Sequence, residues 1–208
     1  YPPGPMGPIW GWKTRPRSPN SPAPDAAVMI HAPPIIEPGG SFVGGDPLWW
    51  PDPTVPWDLA FELISEYTGG EAKWYQPPDL RLPTAGIPPG MDVNATYIPT
   101  SPWTNLLADD FLCMEPGRIT NITIWASWYH DQFPSQPPNN VTFTLSIHKD
   151  YPVPNPYGYS MPGSNLWVRT FTPGQFTCTQ VTNVPEGWFD PPNGPYEPVG
   201  DNTCFRYD

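Results

Sequence analysis

The sequence predicts an all-β protein of the β-sandwich or jelly-roll kind, with long Pro-rich loops and an extended Pro-rich N-terminal arm. Three observations carry that expectation. The stretch Val141–His148 alternates strictly, with Val141, Phe143, Leu145 and Ile147 on one face and Thr142, Thr144, Ser146 and His148 on the other. Similar short β-branched or aromatic segments recur between Pro and Gly turns. The 208 residues include 36 Pro and 18 Gly, which interrupt helices throughout. Disorder is disfavoured, because aromatic residues reach 14% and 11 of them are Trp.

Residues 1–57 read as a Pro/Trp-rich arm and 58–208 as the β domain. Within the arm, Ile9–Thr14 and Ala27–His31 look like short strands, and Trp49-Trp50 sits between turns. So much aromatic surface would be sticky if exposed, so the arm packs on its own domain or on a neighbour. Trp57–Glu66 is the one helix candidate, but Leu59, Phe61 and Leu63 also alternate as in a strand. Lys73–Gln76 opens a new segment, and residues 77–104 are mostly loop. Further strands are expected around Phe111–Cys113, at Ile119–Trp128, Val141–His148, Leu166–Phe171, Phe176–Val181 and Thr203–Tyr207, with a short segment at Gly187–Phe189. Ile119–Trp128 and Val141–His148 are expected to form the centre of the domain.

Net charge is −11 with 9 basic residues, and the densest basic group is Lys13, Arg15 and Arg17. No basic stripe suits nucleic acid or an anionic membrane surface. No apolar run approaches the roughly 18 residues of a membrane span, so no membrane insertion is expected. Low Lys with high Trp, Pro and Asn suits a secreted chain. Tyr1 is not a start residue, so the chain reads as processed or excised from something longer.

Candidate sites are few. Asp109-Asp110 precedes the Phe111 segment and offers a low-specificity calcium site; otherwise no cofactor is expected. Trp49 and Trp50 are the best platform for sugar rings among the many Trp residues, most of which fill core. Asn94, Asn121 and Asn140 head N-x-[ST] sequons, with Asn94 favoured for its expected loop and Asn121 weakest because it lies in a strand. His130-Asp131 and Glu62/Glu66 are the only arrangements suggestive of acid–base chemistry, and nucleophile and phosphate-loop motifs are lacking. The expectation is therefore not an enzyme. Cys113, Cys178 and Cys204 form no metal-type cluster, and in an oxidising compartment one disulfide and one free thiol are expected, with three pairings open.

Six segments form a specific set: Lys73-Trp-Tyr-Gln-Pro-Pro-Asp79, Asp92-Val-Asn-Ala-Thr96, Leu107-Ala-Asp-Asp-Phe-Leu-Cys113, Asn140–His148, Gly158-Tyr-Ser-Met-Pro-Gly163 and Glu186-Gly-Trp-Phe-Asp-Pro-Pro192. Over about residues 72–208 the chain resembles an uncharacterised secreted β domain of large planctomycete-type bacterial proteins. The resemblance implies architecture and no activity. It places Cys113 and Cys204 on motif strands, hence a Cys113–Cys204 disulfide with Cys178 free. It also implies that a strand like Gly11-Trp-Lys-Thr14 and a segment like Asp58–Phe61 belong after the strand matching Cys204–Tyr207. The chain then reads as the tail of one domain joined to the front of the next, or as a shifted unit of a tandem repeat, lacking one strand. A sheet short of a strand invites pairing with another chain. The resulting expectation is an extracellular structural protein, a fibre or matrix subunit polymerising with copies of itself. In that picture Ile9, Trp10, Trp12, Val28 and Ile30 form the inter-subunit arm. The alternative is a carbohydrate-binding module whose partner is a polysaccharide.

Overall fold

The computed structural model describes residues 8–21, 25–30, 45–49, 54–65, 72–81, 90–96, 105–113, 116–191 and 196–208. Along these the chain forms β1 (Trp10–Pro16), β2 (Val28–Ile30), β3 (Gly45–Pro47), β4 (Trp57–Leu59), β5 (Phe61–Ser65), β6 (Ala72–Gln76), β7 (Met91–Asn94) and β8 (Leu106–Ala108). The longer strands follow: β9 (Ile119–Trp128), β10 (Phe143–Tyr151), β11 (Met161–Phe171), β12 (Cys178–Phe189) and β13 (Tyr196–Tyr207). One short 3-10 turn, Tyr129–Asp131, is the only helical element among the described residues. The protein is all-β. The segment at Trp57 is two strands, so its period-2 alternation wins over its helical spacing.

The main sheet runs β4-β1-β7-β12-β13-β9-β5-β6, and β1 also pairs with β9. That extra pairing closes β1, β7, β12, β13 and β9 into a five-stranded ring, a barrel-like core. Closure removes the sheet edges along these strands. At the seam, Trp10, Gly11 and Trp12 face Trp128, Ser127 and Ala126, while Gly11–Lys13 face Asn94–Asp92 on the other side. Beyond the seam β1 and β9 splay apart. The β4–β5 segment fills the gap, pairing with β1 through Leu59 and with β9 through Phe61. The N-terminal segment therefore packs within its own domain, through β1 and its pairings with β4, β7 and β9. Two smaller sheets complete the molecule, β3-β2-β8 and the ribbon β10-β11.

Strict alternation decides which side chains meet. Trp10, Met91, Val93, Ile124, Ala126, Phe205 and Tyr207 lie on one face and join Trp57, Leu59, Phe61 and Phe143 in the main apolar cluster. Phe143 stands edge-on to Trp10, Phe176 and Tyr207, with ring centroids 5.0–5.2 Å apart. This is how the β10–β11 ribbon is attached. Ile119–Trp128 spans β9 as expected, but it does not pair with the Val141–His148 segment. Val141 precedes the strand, and of that apolar face Phe143 is buried while Val141, Leu145 and Ile147 are half-buried. Alternation identified the buried face; it carried no information about the partner strand.

Prolines within the long strands coincide with irregular pairing. Between Asn183 and Trp188 the register of β12 against β13 shifts twice, around Pro185 and opposite Pro198. Gly200 sits in that bulge, where an added Cβ would lie 2.1 Å from the Trp188 Cβ. Gly11 is equally constrained, since its Cβ would meet the Trp188 ring at 2.5 Å.

Phe205→Ala removes a ring buried at the centre of the apolar cluster. We expect a loss of about 3–5 kcal/mol in unfolding free energy, read from the urea midpoint.

Candidate functional site

The opposite face of the same strands is polar and sealed. Lys13 follows the Trp10-Gly11-Trp12 segment, so alternation turns it away from the Trp10 and Trp12 face. It is 1% exposed. Its register partner Asp92 on β7 is 0% exposed, as is Glu186 on β12, and Asp201, paired with Glu186 across the bulge, is 1% exposed. The Lys13 ammonium donates to Asp92 Oδ2 at 2.6 Å and to Glu186 Oε2, and lies 3.6 Å from Asp201 Oδ1. Ser127 on β9 and Asp201 on β13 both act on the ionisation of Asp92. Neither β9 nor β13 neighbours β7 in the ring, so these side chains meet across its interior. All five strands contribute to one internal polar centre.

Asp131 positions one side of it. Its carboxylate accepts the backbone N–H groups of Asn202 and Thr203 at 3.2 and 3.0 Å and the Asn202 amide at 2.9 Å, next to Asp201. Both His130 and Asp131 adopt left-handed backbone, with φ of 53° and 54°. Such conformations cost energy for residues with a Cβ, and here the grip on β13 compensates.

One cation faces three carboxyl groups that water cannot reach. Burial pushes all three carboxyls upward, Glu186 to about 7, with Lys13 opposing the shift. Burial alone would lower the Lys13 ammonium, but Asp201, Asp92 and Glu186 together raise it well above its ordinary value. Burial thus favours the protonated form of these carboxyls, and the single Lys13 charge opposes it. Carboxylate oxygens of Asp92, Glu186 and Asp201 lie within 4.8 Å of one another, the spacing of a metal site. The Lys13 ammonium already stands among them as the cation.

The sequence-derived candidates fall elsewhere. Asp109 Oδ2 accepts Leu59 N–H at 2.8 Å and the Gln76 amide at 2.7 Å, and Oδ1 accepts Asp110 N–H at 2.9 Å. It anchors the β4–β5 junction, and its oxygens are committed to backbone and amide donors. Cys204 is fully buried against Ala60 and Trp125, whereas Cys113 is exposed on the loop after β8, and no disulfide joins any of the three cysteines. The Cys113–Cys204 bond is thus not formed, because β13 turns Cys204 into the ring interior beside Lys13. Asn94 lies in β7 and not in a loop; it is 1% exposed, donates to Asp190 Oδ1 at 2.8 Å and accepts Thr96 N–H at 2.9 Å. Asn121 is partly buried on β9, and Asn140 is the exposed sequon. Trp49 is 43% exposed, while Trp50, Glu66 and His31 lie outside the described residues. Ile9, Trp10, Val28 and Ile30 are buried in their own domain, and Trp12 donates its indole N–H to the Ala60 carbonyl at 2.9 Å. His130 turns from Asp131 to Glu197, 3.0 Å away.

A second feature lies on the apolar side. A cleft of about 1250 Å³ separates the barrel from the β10–β11 ribbon, lined among others by Trp10, Trp12, Phe61, Trp128 and Leu145. Asp109, Asp110 and Asp150 stand on its lining. Near them, burial raises Asp58 to about 7, with Arg17 and Arg15 opposing and Asp110 reinforcing.

The class is thus an all-β, barrel-like domain organised around a sealed ion centre. The chain belongs to the family Domain of unknown function (DUF7901), whose model matches residues 72–208. No curated protein and no solved structure matches it. The matched range holds Asp92, Glu186 and Asp201 but not β1, so the lysine and the ring-closing strand come from outside it.

Two outcomes follow. Lys13→Met leaves three buried carboxyls without their cation, and unfolding free energy should fall by about 3–5 kcal/mol. Asp58 binds its proton more tightly folded than unfolded, so its contribution is complete below the unfolded value of 3.8 and is lost as pH rises through about 7. The urea midpoint should therefore rise on acidification across that range, and Asp58→Asn should flatten the rise.

Proposed function

We propose that this chain is a non-enzymatic structural module of an extracellular assembly, joined to further copies of itself. The observation that carries this reading is the sealing of the reactive groups gathered around Lys13. Lys13, Asp92, Glu186 and Asp201 are 0–1% exposed, which suits cohesion and denies a substrate entry. The His130-Asp131 pair does not form a second such set, since the two side chains serve different partners. The contact between copies is assigned to the β10–β11 ribbon and not to the N-terminal strands, which are used internally. The two ribbon strands pair only with each other among the described residues, and the ribbon region exposes Tyr151, Val153 and Leu166. Sedimentation velocity over rising concentration should show growth into larger species. Leu166→Lys should hold the protein monomeric. A wild-type monomer at every concentration would remove the reading.

The cleft favours a second reading, a carbohydrate-binding module. Its aromatic walls suit the apolar faces of sugar rings, and Asn140, Thr144 and Ser146 supply polar handles. Soluble oligosaccharides should then shift tryptophan emission saturably, and an unchanged emission across a broad panel would eliminate it.

A further inference from the structure

The sealed centre places an amine against a carboxyl group under unusual conditions. Lys13 and Asp92 face each other in register on β1 and β7, and Nζ lies 2.6 Å from Oδ2. Glu186 contacts the same nitrogen. All three side chains are shielded from water. Asp92 Oδ1, Glu186 Oε1 and both Asp201 oxygens are buried and lack a well-aligned donor, Asp92 and Asp201 having chiefly each other and Ser127 as polar neighbours. A noncovalent ion centre with so many unsatisfied oxygens is costly to bury. Condensation of the amine with the carboxyl group would remove one charge-bearing nitrogen and one orphaned oxygen together.

We propose that Lys13 and Asp92 form an intramolecular isopeptide bond within the folded domain, with Glu186 as the proton carrier. The Lys13 ammonium first gives a proton to the Glu186 carboxylate. The neutral amine then attacks Cγ of Asp92 in its protonated form. A bond forms between Nζ and Cγ, and one Cγ–O bond breaks. The departing hydroxyl receives a proton from Glu186 and leaves as water, while Glu186 takes the second proton lost by Nζ. The product is a secondary amide, one water and a protonated Glu186. No oxidant or reductant is needed. Two features favour the step. The groups are held in contact, so the reaction behaves as intramolecular, with effective molarities on the order of 10⁵–10⁸ M available to well-oriented pairs. Burial of the centre also restricts the access of bulk water that hydrolysis would need. The raised carboxyl groups supply the proton that makes Asp92 an electrophile. The ammonium resists deprotonation in the noncovalent state, which makes the direct contact with Glu186 necessary. The bond would tie the N-terminal strand covalently to the matched part of the domain.

The test is the intact mass of the full 208-residue chain in denaturing solvent, followed by fragmentation. The wild-type chain should be lighter than its sequence by one water, with Lys13 and Asp92 in one branched peptide. Asp92→Asn should also cross-link, losing ammonia in place of water and reaching the same final mass. Glu186→Gln, which keeps the shape, should show the full sequence mass while remaining folded by circular dichroism. A full-mass wild type from folded protein overturns the proposal, as does a branch mapped to Glu186 or Asp201. The readout is independent of assembly, so it stands or falls apart from the structural-module reading.

Discussion

The Lys13 ammonium among Asp92, Glu186 and Asp201 is the interaction on which the remaining architecture depends. A lone cation in the middle of a strand rich in Trp would be intolerable unless opposite charge met it there. The ring geometry provides it. β7 brings Asp92 into register, and the bulge between β12 and β13 turns Glu186 and Asp201 inward. β7 is thus held to β1 by electrostatics as well as by its backbone ladder, while β12 and β13 reach Lys13 across the ring by charge alone. Removing the cation would leave buried carboxyls that can be neutralised only by taking up protons.

The two faces of β1 divide the molecule. On one side Trp10 and Trp12 face the apolar cluster and the cleft; on the other Gly11 and Lys13 face the ring interior. Gly11 makes room for the Trp188 ring, and Gly200 lets β13 pass close to the same residue. The indole is therefore locked beside the ion centre and helps to keep water out. Asp131 acts from outside the ring, holding the Asn202–Thr203 backbone and so the direction of Asp201. These small structural choices all protect one polar site.

The position of β1 also explains how a segment outside the matched range belongs to the domain. Residues 72–208 contain four strands of the ring and all three carboxyls, yet they lack the strand that closes it and the cation that balances it. The N-terminal segment supplies both. Ring closure and charge neutralisation are consequently one event, and a domain without β1 would have an open edge and an unpaired acidic interior.

Local chemistry in the sequence was enough to determine the all-β class, the extent of β9 and the burial of Phe143. Each rests on neighbours a few positions apart: period-2 alternation, β-branched enrichment and turn residues. Partner choice rests on contacts between distant residues, and only the tertiary structure decided it. It paired β10 with β11 instead of β9, placed Asn94 inside the sheet, separated Cys113 from Cys204 and set the N-terminal strands into their own domain. The ion centre is the clearest case, because Lys13 lies 79 positions from Asp92 and 173 from Glu186. Its traces in the sequence were single charges set beside apolar or aromatic residues, Trp12-Lys13, Met91-Asp92-Val93 and Glu186-Gly187-Trp188. Such isolated charges imply that partners exist. They do not say which ones, because that depends on how the strands close around each other.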